Sequence, residues 1–431
     1  MLLIYTHKIT PRFSYIMKQM FTRILGINIS FTTKVEDFIK HTGPKITYTK
    51  QPLQNEFFIR SNDLLFEQGI NDLQINIADW EGLPCFFATG ERSTLPFDIF
   101  SASFYLLSRY EEYLPHVKDI HGRFPPKDSI AYQHNFLKSP VVDQWAFKLL
   151  DKLEQRFPGI GEEGRSYSYT SIIDVTASHC YAHRGFLRGG AGLLFDLFTL
   201  KLNRVMPRVK TWFDPSADPY DNYATLIALH KKYGIKGMFF FQFADYSTYD
   251  KNVSPNSNRF RFLIKRIADY SLVSLAASYS SFRDIELLRA EKKRLAEVIN
   301  KPITASRMRY NRVDIPETYR NLVASEFTDD YTMGYTHEIG FRAGTCTPFY
   351  FYDISLELQQ PIRIHPFAIH DYALINHRKK ETIMEELTPL YHKVKEVNGH
   401  FLTIFSNELL GGNQKVDWID LYQNIIKEYH V

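Results

Sequence analysis

Hydrophobic and polar positions follow two rhythms along this chain. In the first part, short apolar runs bounded by Pro, Asn, Asp or Gly predict strands at LLIYTH, KITYT (45–49), NEFFIRS and LPCFFAT. Apolar residues recurring at three- and four-residue steps predict helices over 13–25, 95–114 and 141–157. The helix over 95–114 is the strongest of these, with Pro96 near its start and Pro115 at its end. PGIGEEG (158–164) reads as a linker, which sets apart an N-terminal α+β domain at 1–160. From about residue 166 the rhythm changes. SYTSIIDV, GMFFFQFA, LVSLAAS, TASRMRY, DDYTMGYT, IRIHPFAI and HFLTIFS read as short strands, separated by amphipathic helices of which GGAGLLFDLFTLKLNRV is the first. Repeated β-α units predict a parallel sheet covered by helices over 166–431, doubly wound or closed as a barrel. In a barrel, chemistry gathers at the C-terminal ends of the strands.

Composition narrows the function classes. The chain has 431 residues, 44% hydrophobic and 23% charged, enough apolar material for a substantial core. Its net charge is only +4 and its basic residues are dispersed, which argues against nucleic-acid binding. The 34 Phe and 27 Tyr are expected to be mostly core, with a minority free to stack on sugars. Cys85, Cys180 and Cys346 are odd in number and far apart, which fits a reducing compartment better than a disulfide framework. The opening MLLIYTHKIT is too short an apolar stretch for a signal peptide. No run approaches the ~18 apolar residues that span a bilayer. A cytoplasmic protein without membrane insertion is expected.

Polar residues collect where a barrel would carry its site. The first barrel strand ends in Asp174-Val-Thr176, LVSL runs into Ala276-Ala277-Ser278-Tyr279, TASRMRY carries Arg307 and Arg309, and IRIH ends in His365, followed by His370 and Asp371. GFRAGTCTPF (340–349) is a Gly-rich loop with Arg342. Asp174 reads as a helix cap, a structural ion pair or a general base. His365 reads as a hydrogen-bonded core histidine or a catalytic one. Arg307 and Arg342 fit orienting roles or plain salt bridges, and the sequence does not rank them.

Taken together, DVTASHCYAHRGFLR (174–188), AASYSS (276–281), SRMRY (306–310), IPETYRNL (315–322), EIGFRAGTCTPF (338–349) and IHPF (364–367) resemble the polysaccharide deacetylase family, also called the NodB-homology or carbohydrate esterase family four group. The resemblance is to a Bacteroidetes-type subgroup with an N-terminal domain of unknown function. LPFDIFSASFYLLSRYEEYLPH, DIHGRFPPKDS and VVDQWAFK look like hallmark segments of that domain. It implies a deformed, incomplete β/α-barrel and a metal-assisted hydrolysis of N-acetyl groups, in which a divalent ion such as zinc polarises the acetyl carbonyl and activates a water.

Carried over residue by residue, Asp174 matches the base and His365 the acid. The ligand positions match Thr176, Ala276 and Arg309, so no bound metal is expected. Ala cannot coordinate, Thr is a poor ligand, and an always-charged guanidinium would repel the ion. Arg309 becomes either a positive site for an acidic sugar or phosphate group, or an ion pair with Asp174. With Arg307, Arg342, Tyr279 and Asp371 it makes up the expected pocket, and Asp371 reads as structural or pocket-lining. His179, Cys180 and His183 offer a relocated metal site or are ordinary loop residues. Three functions follow: a deacetylase-like protein of carbohydrate metabolism with lost or reduced activity that binds a glycan, an N-acetylated glycan precursor or a protein partner; an active N-deacetylase with a rearranged metal site; or an interaction scaffold.

Overall fold

Parallel strands dominate both parts of the chain. A computed structural model describes all residues except 162–163, 184–185, 378, 413–415 and 431, and describes no side chains at 186–188 and 202–204. Glu162 and Glu163 of the expected linker lie outside the described residues.

The N-terminal part holds a four-stranded parallel sheet, β1 (Leu2–Thr6), β2 (Ile29–Thr32), β3 (Lys45–Thr49) and β4 (Phe57–Arg60), in the order β2-β1-β3-β4. A small antiparallel pair follows, β5 (Ala78–Trp80) and β6 (Leu83–Cys85). The helix expected over 95–114 spans only Ile99–Leu107. Asp98 starts it, its Oδ1 accepting from the Phe100 and Ser101 amides at 3.1 Å. Arg109, in left-handed conformation, turns the chain into a short 3-10 helix over Tyr110–Glu112.

The second part is a nine-stranded sheet made of β7 (Ser168–Val175), β8 (Lys236–Gln242), β9 (Leu272–Ala277), β10 (Ala305–Met308), β11 (Asp329–Asp330), β12 (Phe349–Asp353), β13 (Leu358–Ile364), β14 (Ile369–His370) and β15 (His400–Ser406). The order is β12-β13-β11-β10-β9-β8-β7-β15-β14, and every pairing except β12 with β13 is parallel. β13 and β14 lie on opposite sides of this order, yet only residues 365–368 separate them. The His365 amide bonds to Asp330, that of Phe367 to Met333, and that of Ala368 to Leu402. One segment therefore leaves β11 and joins β15, which brings the two edges of the sheet together into a deformed barrel. Pro366, which has no N–H to give, sits at the crossover.

Burial on both sides explains the unbroken apolar strands. Ile172, Met238, Phe240, Ala276, Ala305, Tyr331, Phe367, Leu402 and Ile404 form the barrel interior. Ile173, Val175, Phe239, Phe241 and Phe405 face the helices and belong to a core shared with the N-terminal part.

That shared core is pinned by buried charge. Arg342 donates two hydrogen bonds to Glu112, at 2.9 and 2.6 Å, while Arg109 donates to Glu112 at 2.8 Å and to Glu111 at 2.7 Å. Arg109 also bonds the Arg342 carbonyl. The two arginines hold the Glu112 carboxyl down to about 2 in spite of its burial. The Gly-rich loop 340–349 is the docking element. Gly340 has φ +135°, and a Cβ there would lie 2.3 Å from the Leu137 carbonyl oxygen. Asp143 accepts from Thr345 Oγ1 at 2.6 Å and from the Cys346 amide at 3.0 Å.

Candidate functional site

Asp174 is the seventh of eight residues in β7, so it sits near the C-terminal mouth of the barrel. Its Oδ2 accepts from Arg307 Nε at 3.1 Å, and its Oδ1 is buried without a hydrogen-bond partner. Arg307 is fully engaged: Nη1 donates to the Tyr331 carbonyl at 2.8 Å and Nη2 to Asn311 Oδ1 at 2.6 Å. Its guanidinium also lies 5.2 Å from the centre of the Phe367 ring. Asn311 passes the network to Thr336 at 2.8 Å, and Arg123 of the N-terminal part joins the same hydroxyl at 3.1 Å. Of the two roles open to Arg309, the ion pair with Asp174 is therefore corrected. β10 turns Arg307 into the barrel, and Arg309, beyond the last residue of that strand, faces elsewhere.

Arg309 Nε lies 3.3 Å from Asp250 Oδ1 and donates to the Tyr249 carbonyl at 3.0 Å. Asp250 itself accepts from Gln242, from Ser247 Oγ at 2.9 Å and from the Tyr279 amide at 3.1 Å. Thr176 donates to Glu408, which lies in the helix that follows β15. Ala276 is packed among the interior side chains. Among the described residues, no group of three or more His, Cys, Asp or Glu is placed to hold a metal ion.

His365 does not meet Asp174. Its Nε2 lies 2.7 Å from Asp329, the first residue of β11, and its ring stacks on Tyr331 at 4.3 Å. The charge of Lys236, which begins β8, reaches His365, as His365 in turn reaches His400 at the start of β15. His365 thus faces the strand starts, and burial lowers its pKa. An acid and base at opposite ends of a barrel cannot share one substrate. Arg342 borders a cavity of ≈ 340 Å³ that also touches Asn311 and Arg123, but its charge is committed to Glu112. Asp371 locks two strand ends, its Oδ2 accepting from the Ser406 amide and hydroxyl at 2.6 Å. His370 Nδ1 lies 2.8 Å from Asp371 Oδ1. His179 and His183 meet edge to face at 4.8 Å, and the Cys180 amide is held by Asp218 at 2.8 Å.

Around Tyr279, which the sequence reading places in the pocket, the structure assembles an aromatic cluster whose other members that reading missed. Tyr249, Tyr279 and Tyr310 come from the loops after β8, β9 and β10, and His121 comes from the N-terminal part. Tyr249 stacks on Tyr279 at 4.0 Å, His121 stacks on Tyr310 at 4.7 Å, and Tyr279 meets Tyr310 edge-on at 5.5 Å. The Arg309 guanidinium lies 4.9 Å from the Tyr310 ring centre, and that of Arg312 lies 4.0 Å from that of Tyr279. Each tyrosine follows a strand end, a signal available in sequence. His121 lies more than a hundred residues earlier and gives none.

Glu291 supports this cluster from below, its Oε2 accepting from the Ser278 amide at 3.1 Å beside Tyr279. Burial pushes its carboxyl up to about 7. A raised acid favours the fold while protonated, so this contribution is full below about 4.5 and is lost as pH rises through about 7. Glu291→Gln is expected to leave stability unchanged at pH 4.5 and to raise it at pH 8. Urea midpoints at the two pH values check this, and equal shifts at both would contradict it.

Comparison with known proteins places part of the chain. A family of unknown function, DUF7033, matches residues 2–158. No curated protein matches. Among solved structures, the chain is similar to a Mycobacterium smegmatis protein provisionally described as a polysaccharide deacetylase. The two are 12% identical with a TM-score of 0.41, over 62% of this chain and 84% of that one.

Proposed function

We propose that this is a polysaccharide-deacetylase-like protein of carbohydrate metabolism that binds a glycan and has lost most or all hydrolase activity. The observation that carries the reading is the Arg307 guanidinium on Asp174. A base must accept a proton from a water held by the ion, and a neighbouring fixed cation disfavours both the ion and the proton. Thr176, Ala276 and Arg309 stand where the resemblance places metal ligands. The rings of Tyr249, Tyr279, Tyr310 and His121 supply apolar faces with polar rims at the same mouth, the chemistry that stacks on a pyranose. An active N-deacetylase is the second reading. It is favoured by the unpartnered Asp174 Oδ1, but it requires an acid other than His365.

The test combines elemental analysis, acetate release from N-acetylglucosamine oligomers, and titration calorimetry with the same oligomers. Substoichiometric metal, no acetate, and binding weakened about five- to ten-fold by Tyr249→Ala, equivalent to about 1 kcal/mol, are expected. Stoichiometric zinc or manganese together with acetate release overturns the reading.

A further inference from the structure

Between β7 and the helix Tyr223–Lys232 the chain inserts two helices, Phe186–Phe198 and Leu202–Phe213, turned at Leu200 (φ +52°). The sequence reading expects one helix here. Among the described side chains, the contacts between the two helices lie on one side. A Cβ on Gly189 would lie 3.2 Å from Trp212, one on Gly192 would lie 2.5 Å from Arg208, and Arg208 donates to Asp196 at 2.7 and 3.0 Å. The other side leaves large apolar residues in solvent: Leu194, Phe195, Leu197, Phe198, Leu200, Met206 and Phe213. Phe198 and Phe213 are 85% and 87% exposed. Scattered exposed apolar residues are ordinary, but a run of this size within twenty positions marks a binding surface.

The charge of the segment identifies what covers it. Residues 186–213 carry five basic residues and one acid, Asp196, in a chain whose total is only +4. That acid is buried against Arg208. Short helices with Phe, Leu, Met and Trp beside Lys and Arg lie in the headgroup region of a bilayer rather than crossing it. Among the described residues, no helix is long and apolar enough to cross. A second copy would bring the same positive charge to the interface and repel it. We propose that this helical hairpin docks the protein on a membrane surface rich in anionic lipids. The insertion leaves from the C-terminal end of β7, so docking holds the barrel mouth close to the bilayer. This inference stands apart from the glycan reading.

Co-sedimentation of the full chain with vesicles tests it. Vesicles of equal parts phosphatidylglycerol and phosphatidylcholine are expected to bind at least about ten-fold more tightly than phosphatidylcholine alone, an advantage that salt removes. The triple variant Phe195→Ser/Phe198→Ser/Phe213→Ser is expected to lose about a hundred-fold or more in binding while keeping the parent's urea midpoint, because these rings are solvent-exposed. Protein that stays in the supernatant with both vesicle types overturns the proposal. So does a dimer in light scattering that the triple variant abolishes, which would make a second copy the occupant.

Discussion

Glu112→Ala is expected to lower the unfolding free energy by about 3–5 kcal/mol, the cost of removing one partner from a buried ion pair. Glu112 is the shared acceptor of Arg342 and Arg109, and all three side chains are almost fully buried. Its loss leaves two guanidiniums in a low-dielectric core, with only Glu111 to answer Arg109. The pair also joins the first part of the chain to the barrel loop 340–349, so both parts should unfold together at a lower urea midpoint. Arg363→Ala provides the comparison. Arg363 pairs with Asp329 at 2.8 Å but is half exposed, so its removal is expected to cost at most about 1 kcal/mol. Equal effects for the two variants would show that the Glu112 cluster does not secure the interface.

Arg307→Met is expected to have the second largest effect, again about 3–5 kcal/mol, because it strands the Asp174 carboxylate, whose side chain is only 13% exposed. Removing both charges should be far milder. The double variant Asp174→Asn/Arg307→Met is expected to recover most of the loss, since a neutral amide replaces an unpaired carboxylate. Urea denaturation of the single and double variants gives the coupling between the residues directly. Additive losses would mean that the two side chains act independently, and the reading of Arg307 as the group that occupies Asp174 would fail. Acetate release by the single variant, absent in the parent, would show that Arg307 alone silences the base.

The barrel was legible because its strands are buried on both faces, which leaves apolar runs such as SYTSIIDV and HFLTIFS with little ambiguity. Both are observed over the expected residues, Ser168–Val175 and His400–Ser406. Asp174 was legible as a polar residue at a strand end for the same reason. Where local pattern and tertiary contact disagreed, contact prevailed. IRIHPFAI reads as one strand, but Pro366 and the change of partner from β11 to β15 divide it. GGAGLLFDLFTLKLNRV reads as one helix, but the left-handed Leu200 folds it back on itself.

The sequence by itself determined the alternation of strand and helix and the chemistry available at the strand ends. These are properties of local periodicity and side-chain type, which survive without knowledge of partners. Only the tertiary structure decided that Arg307 rather than Arg309 meets Asp174, and that His365 faces the opposite end of the barrel. It also decided that Arg342 serves the interface and that His121 completes an aromatic cluster. Those outcomes depend on inward or outward alternation, on the stagger of strands around a curled sheet, and on contacts more than a hundred residues apart. No window along the chain encodes them.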